Sequence, residues 1–280
     1  MVSINPLKQM KTMKKYIFMA VAGMLALSSC SNDDNDVQNT QNAPRQMTFT
    51  AGFGDGATTR ATLSDNSVSF DEYDNISILS AKNTNTMFTT TAGGASATFT
   101  GTATADSKFY AVYPYTDGLT LDPSTGIISG VEIPADQNGA ATFTWGGWDK
   151  RAPIAYATTT DTNLQFHNAC ALLKITNDKG EAAMIIVECY NGALTGKFTL
   201  DTSNGTLSGD EEHSLPIASV RNVPFKKPIY IAIAPGTKTN FMATWIAADY
   251  NSQAGKEKSS FTFEAGKIYD LGNTSAWDEH

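Results

Sequence analysis

The chain has 280 residues, of which 41% are hydrophobic, and it carries 20 basic and 28 acidic side chains for a formal net charge of −8. A surface of this sign repels nucleic-acid phosphates and anionic lipid, so neither is expected as a partner. The length suits two modest domains or one large sandwich, and either can bury a sizeable core.

The N-terminus has the order of a bacterial lipoprotein signal. Lys14 and Lys15 precede an apolar run, Tyr16–Leu27, and two serines then lead to Cys30. This run is too short to span ~30 Å of hydrocarbon as a helix. The pattern predicts a signal peptide over residues 1–29 and lipidation of Cys30, with an ordinary secretory signal as the alternative. Removing the signal takes away four lysines and no acid, which changes the net charge from −8 to −12.

Residues 30–45 are predicted to form a flexible tether. They are rich in Asn, Asp and Gln and have no apolar periodicity. Asp33, Asp34 and Asp36 lack the spacing and the glycine of a calcium loop, so no metal is expected there. The tether would therefore hold the following body away from the lipid.

From residue 46 onward the apolar pattern has the period of two that β-strands require. Met47, Phe49, Ala51 and Phe53 alternate with polar or small residues. Further short apolar runs are Ile76–Ile78, Phe109–Tyr113, Ala169–Ile175, Met184–Cys189, Ile229–Ile233, Phe241–Ala247 and Phe261–Phe263. The segment Met242–Tyr250 is ambiguous, but its β-branched and aromatic content favours a strand. The prediction is an all-β protein, built as a sandwich of many short strands.

An internal repeat suggests that this body has two parts. The segments Leu121–Gly130 and Leu200–Gly209 share the pattern L-D-x-S-x-G-x-x-S-G at an offset of 79 residues. Asp, Ser and Gly supply the side-chain hydrogen bonds and the positive φ that a hairpin turn needs. The two copies predict two related β-domains in tandem, over residues 46–162 and 163–280.

The sequence contains no catalytic or cofactor motif. His167, His213 and His280 are too few and too scattered for a metal site, and no H-E-x-x-H, G-x-S-x-G or phosphate-binding loop occurs. We therefore expect a protein that is not an enzyme and uses no metal or cofactor. Cys170 and Cys189 remain after lipidation, and the exported compartment permits a disulfide between them. Two buried free thiols on neighbouring strands are the favoured interpretation.

Trp145 and Trp148 flank two glycines, and two interpretations of this pair are open. Exposed indoles would form a stacking platform for a sugar. Buried indoles would cap the sandwich, which is the favoured interpretation because buried aromatic residues dominate the area of a core. The first interpretation gives the alternative function of a surface-anchored glycan-binding lipoprotein.

Arg60 lies in a loop of Gly, Thr and Ala residues that follows the first strand. An extended and accessible loop of small residues is what a protease cleft requires. From composition alone, an ordinary surface arginine is the simpler interpretation.

The chain resembles the fimbrillin family, the major and minor subunits of Bacteroidales type V pili. The matching motifs run in order over most of the mature chain: LSSCS, MTFTAGF, TTRATL, VSFDEYDNISIL, FYAVYP, LQFHNACALLKIT and FEAGKIYDLG. The resemblance implies two transthyretin-like β-sandwich domains and transport as an outer-membrane lipoprotein. It also implies cleavage by a trypsin-like protease between Arg60 and Ala61, which removes the first strand, Gln46–Phe53. Another pilus subunit would then supply a replacement by donor-strand exchange.

The C-terminal tail departs from the family's polymerising shaft subunits, which carry a donor strand there. After Lys267–Leu271 the chain continues as GNTSAWDEH, a polar segment in which Trp277 is the one large apolar residue. Such a segment fills an apolar groove poorly. The sequence therefore predicts an accepting subunit at the cell surface, a tip or accessory pilin that adheres to a host or bacterial receptor.

Overall fold

The computed structural model describes residues 42–54, 69–138, 147 and 149–279, with the backbone alone at positions 210 and 211. Nineteen β-strands and a short 3-10 turn, Thr274–Ala276, account for most of this part of the chain. The strands are β1 Arg45–Phe53, β2 Asn75–Ser80, β3 Asn83–Thr90, β4 Ser96–Ala103, β5 Phe109–Tyr113, β6 Thr120–Asp122, β7 Ile127–Ile133, β8 Ala155–Thr159, β9 Asn163–Asn168, β10 Ala171–Thr176, β11 Ala182–Glu188, β12 Thr195–Asp201, β13 Thr206–Leu215, β14 Ile217–Val223, β15 Pro228–Ile233, β16 Gly236–Ala247, β17 Gln253–Phe263, β18 Ile268–Asn273 and β19 Asp278–Glu279. The all-β prediction is confirmed. Within the described ranges, no helix has the length and apolarity needed to cross a bilayer.

Seven strands close into a barrel in the order β1-β4-β3-β2-β5-β8-β9. β1 completes the closure. It pairs antiparallel with β4 over eight residue pairs, from Arg45 to Gly52, and parallel with β9 over four pairs, from Thr50 to Phe53. Over Thr50–Gly52, where the two ladders overlap, β1 has a strand on each side, so its backbone groups there can find partners.

The repeated segments form two neighbouring hairpins of one four-stranded sheet, in the order β13-β12-β7-β6. In each turn the glycine N–H donates to the aspartate carbonyl at 2.8 Å, from Gly126 to Asp122 and from Gly205 to Asp201. Both glycines have positive φ, 76° and 79°. The hydroxyl of Thr202 donates to the carbonyl of Gly126 at 2.7 Å and links the two turns. The repeat therefore marks a sheet to which both halves of the chain contribute.

Two apolar clusters form the core. The first fills the barrel and includes Phe49, Phe88 and Phe99, together with residues of the four-stranded sheet such as Ile128. The second draws its residues from a three-stranded sheet, β15-β10-β18, and a five-stranded sheet, β14-β11-β16-β17-β19. Two sheets that bury a common set of side chains between them form a β-sandwich.

The domain boundary predicted between residues 162 and 163 stays a prediction, and strands that follow it pair with strands that precede it. β9 begins at Asn163 but pairs with β8 and β1 in the barrel. Buried residues of the second cluster begin at Ala171. Phe198 and Leu200 of β12 are buried in the first cluster. Pairing between distant strands decides which sheet and which cluster each strand joins. The polar stretch before β9 gives no sign of this pairing.

Candidate functional site: the first strand and its slot

The candidate site is β1 together with the slot that holds it. The residues that face inward from β1 are the four alternating apolar residues that the sequence predicts. Phe49 and Ala51 are fully buried, and Met47 and Phe53 are partly buried against the first cluster. The threonines between them point outward and are exposed. The strand thus buries one face and solvates the other, as its period of two requires.

Phe49 occupies an aromatic pocket in the middle of the barrel. Its ring centroid lies 5.3 Å from that of Phe88 and 5.1 Å from that of Phe109, both at an interplanar angle of 74°. Edge-to-face pairs of this kind contribute about 0.5–1.5 kcal/mol each beyond the buried area. Phe49 also lies directly opposite Phe99 of β4 in the ladder. This pocket therefore supplies much of the energy that holds β1 in place.

Phe53 occupies a second aromatic pocket at the end of the strand. Its ring stacks on Phe70 at 5.0 Å with an interplanar angle of 27°, and lies 5.9 Å from Phe166 and 6.3 Å from Tyr113. Phe70 follows the connection that leaves β1, and its backbone exchanges two hydrogen bonds with Gly94 at 2.8 and 2.9 Å. The connection between residues 54 and 69 therefore starts and ends beside the same pocket.

Between the two aromatic pockets the slot is narrow. Ala51 lies opposite Ala97 of β4 on one side and Leu164 of β9 on the other. On the other side of the first pocket, Gly101 lies opposite Met47, and a Cβ there would come within 2.7 Å of the Phe88 ring. The slot thus accepts a ring, then a small residue, then a second ring at alternate positions of one strand.

The backbone of β1 is held on both sides. Besides the ladder to β4, the N–H of Thr50 donates to the carbonyl of Thr162 at 2.8 Å, and the N–H of Gly54 donates to that of Phe166 at 3.0 Å. Removing β1 would leave facing rows of unpaired N–H and C=O groups on β4 and β9. Unpaired backbone groups next to apolar pockets are the usual template for strand addition.

The other residues singled out by the sequence lie outside the described residues. These are Cys30, the proposed lipid attachment, Arg60 and Ala61, the proposed cleavage site, and Trp145 and Trp148, the pair considered for sugar binding. All of these assignments stay predictions.

The C-terminal tail docks on the second cluster. Trp277 is only 5% exposed, and its indole N–H donates to the carbonyl of Leu271 at 3.3 Å. β19 then pairs with the start of β17 at Ala254 and Gly255. The one large apolar residue of the tail is thereby buried in the body of its own chain.

Polar contacts fasten the tail further. The Asp178 carboxylate accepts bonds from the backbone N–H and the hydroxyl of Ser275, each at 2.8 Å, and from Asn273 at 3.1 Å. These bonds, the Ser275 backbone N–H first, lower the pKa of Asp178. Lys179 forms an ion pair with Glu279 at 2.9 Å. The tail is therefore attached through several independent contacts.

The described residues contain little that resembles a catalytic or metal site. Within those ranges, no group of three or more His, Cys, Asp or Glu side chains could hold a metal ion. Cys170 and Cys189 are both free and buried, as the sequence predicts. The expectation that they lie on neighbouring strands is wrong, because Cys170 precedes β10 and Cys189 follows β11, and these two strands belong to different sheets. Burial raises the pKa of the Cys170 thiol to about 12, so it is a poor nucleophile at neutral pH.

Comparison with known proteins finds no matching family model and no matching curated protein. Among solved structures, two putative cell adhesion proteins, from Bacteroides uniformis and Bacteroides ovatus, are 15% and 12% identical, each with a TM-score of 0.49. The matches cover 84% and 85% of this chain and 96% of each of those chains. The tip fimbrial protein Mfa3 from Porphyromonas gingivalis is 8% identical with a TM-score of 0.39, covering 81% of this chain and 94% of that one. At these identities and TM-scores, function has to be argued from the residues of this chain.

Proposed function

We propose that the chain is a structural subunit of a cell-surface pilus, in which the first strand is exchanged for a strand of another subunit. The observation that carries the proposal is the position of β1. The strand is paired on both sides and supplies the side chains that fill the slot. It is nevertheless the first strand of the described residues, and it ends seven residues before Arg60. One cut after Arg60 would separate this strand from everything that surrounds it.

The cut changes the thermodynamics of β1 without changing its contacts. Before cleavage the strand is tethered, so its effective concentration at the slot is high. After cleavage it is a separate peptide that can leave and be diluted. The empty slot would expose two strand edges and two aromatic pockets, which is unfavourable until another strand enters. Cleavage would therefore drive assembly.

The slot restricts which strand can enter. An incoming strand has to place large apolar side chains at the positions of Phe49 and Phe53, with a small residue between them at that of Ala51. We expect a donor segment with the pattern aromatic-x-small-x-aromatic, preceded two residues earlier by a flexible apolar residue in place of Met47. This requirement selects the partner subunits.

We further propose that this subunit accepts a strand but donates poorly, as a tip or accessory pilin. The burial of Trp277 and the pairing of β19 with β17 support this role, because a donating tail would have to give up both. Self-association of the cleaved protein tests it. Ladders of self-polymer that resist mild denaturant would contradict the tip or accessory role.

Lipidation fits the same scheme. The chain would reach the outer membrane as a lipoprotein acylated at Cys30, and a trypsin-like protease would then release the body. The peptide from Cys30 to Arg60 would be a removable plug that carries both the lipid and β1. The free subunit would join the pilus and contribute to adhesion through a surface receptor.

The decisive experiment is mass spectrometry of the protein isolated from the cell surface. The proposal expects chains that begin at Ala61. Acylated Cys30 retained on all copies would contradict it and favour a permanently anchored lipoprotein. An Arg60→Gln variant serves as the control, because it should keep its lipid, its first strand and its membrane location.

A second experiment tests the exchange in solution. A soluble Cys30→Ser protein is cut at Arg60 with trypsin and mixed with an excess of a synthetic strand that has the required pattern. The native β1 peptide should appear free in size-exclusion chromatography. A peptide of the same composition with the two aromatic residues moved to the outward positions should displace nothing. Equal displacement by both peptides would show that the slot does not select its occupant.

A further inference from the structure

A groove of about 650 Å³ lies over the second cluster, where β14, β11 and β16 run side by side. Its lining includes Ala182, Ala183 and Ala248, so small side chains leave space above the sheet. The register between β11 and β16 shifts at Ala183, which forms a β-bulge. Bulges are over-represented beside functional sites, and the volume is that of a small-molecule site.

Two exposed aromatic side chains stand in this groove. Phe225 is 49% exposed and Tyr250 is 65% exposed, and they come from different loops, after β14 and after β16. Both rings line the same groove, and exposed apolar surface that is gathered in one place, unlike a single exposed side chain, often marks a ligand-binding groove. Flat apolar rings that carry or adjoin polar groups are suited to the C–H face of a sugar ring, whose rim bears hydroxyls.

The backbone around the groove is strained. Among the described residues, five that are not glycine have positive φ, and three of them belong to these two loops and the end of β14. Asn222 has φ 51° and Tyr250 has φ 61°, and both line the groove, while Lys226, with φ 58°, adjoins Phe225. The left-handed conformation costs roughly 1–2 kcal/mol at a residue with a side chain. Strain of this kind concentrates at binding sites, where it holds side chains in a required arrangement.

The groove is lined by one cation, Arg221, and one acid, Glu181, on a chain whose net charge is −8. Within the described ranges, the guanidinium of Arg221, which lines the groove, makes no hydrogen bond or ion pair. The Lys226 ammonium lies 5.1 Å from the Phe225 ring centroid. Of the nearby acids, Asp249 caps its own turn through bonds from Asn251 at 3.0 and 3.2 Å, and Glu181 lines the groove. A free guanidinium matches a carboxylate with two parallel hydrogen bonds.

We propose that this groove binds an acidic carbohydrate, a pyranose that carries a carboxylate. The sugar ring would pack against Tyr250 and Phe225, and the carboxylate would pair with Arg221. The amide of Asn222 and the carboxylate of Glu181 would take hydroxyl groups. No residue of β1 or of its slot takes part, so this binding is independent of strand exchange.

The test uses the full soluble chain, with Cys30→Ser, on an array of carboxylated, sulfated and uncharged glycans. Retention is expected for carboxylated glycans, and titration of the best of them should give a dissociation constant that Arg221→Gln raises at least tenfold. Tyr250→Asn should abolish retention. Asparagine accepts positive φ more readily than tyrosine, so this variant is expected to fold.

Tyr73 provides a matched control, because it is 66% exposed with φ 67° but does not line the groove. Tyr73→Asn should therefore bind as the parent protein does. The proposal is overturned if no carboxylated glycan is retained, if uncharged or sulfated glycans bind equally well, or if Tyr73→Asn and Tyr250→Asn behave alike. Each of these results would leave the assignment of the β1 slot unaffected.

Discussion

Truncating Phe49 to alanine gives a measurable test of how β1 is held. Phe49 is fully buried, and its ring makes two edge-to-face contacts at 5.1 and 5.3 Å. Replacing a buried phenylalanine by alanine costs about 3–5 kcal/mol, through lost transfer energy and the cavity that remains. The two ring contacts place Phe49 in the upper half of that range. We expect Phe49→Ala to lower the free energy of unfolding of the uncut protein by about 4 kcal/mol.

The same energy should control release of the strand after cleavage. A loss of about 4 kcal/mol corresponds to roughly a thousandfold weaker retention, because each 1.4 kcal/mol is a factor of ten. Urea unfolding of the uncut protein gives the first quantity. Native mass spectrometry of the trypsin-cut protein, over a dilution series, gives the second as the fraction of bodies that keep the β1 peptide.

Phe241→Ala is the matched control, since Phe241 is 2% exposed but belongs to the second cluster. It should destabilise the uncut protein by a similar amount and leave retention of the β1 peptide unchanged. If Phe49→Ala unfolds at the parent urea concentration, or if both variants release the peptide equally, then the slot does not hold β1 as described.

Three further outcomes are expected. Gly205→Ala should lower the melting temperature more than Gly266→Ala does. The two glycines have similar φ, 79° and 74°, but of the two only Gly205 has a group close to where a Cβ would stand, the Tyr156 hydroxyl at 2.6 Å. Equal shifts of the melting temperature would contradict this close approach. The pKa values of Asp122 and Asp201 are lowered, first by the hydroxyls of Ser124 and Ser203, so their contribution to stability is present above the ordinary pKa near 4 and is lost as the pH falls below it. The melting temperature should therefore fall less steeply between pH 6 and pH 2 in the double variant Asp122→Asn, Asp201→Asn than in the parent protein. An equally steep fall in both proteins would contradict this. Cys170 should resist a thiol reagent at pH 8 in the folded protein and react in denaturant, because its pKa is raised to about 12 by burial; rapid native labelling of Cys170 would refute its burial.

Much of the fold could be predicted from the sequence because several strands carry the full alternation or a continuous apolar run. β1 shows the alternation, and β5 and β15 are short apolar segments bounded by polar residues. The sequence does not predict β3 and β4, because each is rich in Thr, Ser or Asn and contributes a single large ring to the core, Phe88 or Phe99. A strand with one buried ring gives too weak a period to recognise.

The parts that sequence reasoning could not supply depend on contacts between distant segments. The repeated turns were predicted as turns, but nothing in either copy indicates that β7 and β12 pair with each other. Phe225 and Tyr250 are single aromatic residues in loops that only the folded sheet brings to one groove. Their exposure becomes informative once the neighbouring strands are in place.

The pairing of β1 also sets an order of events during folding. On one side its partner, β4, follows within about fifty residues, but on the other side Thr50 has to find Asn163, more than a hundred residues later. Closing so long a loop is slow, because the chain loses conformational entropy before the stabilising contacts between the two strands form. The barrel therefore stays open beside β1, its first strand, until β9 pairs with it. At this stage β1 already lies against β4 and its own second edge is unpaired, whereas the slot that receives a donor strand opens only when β1 leaves.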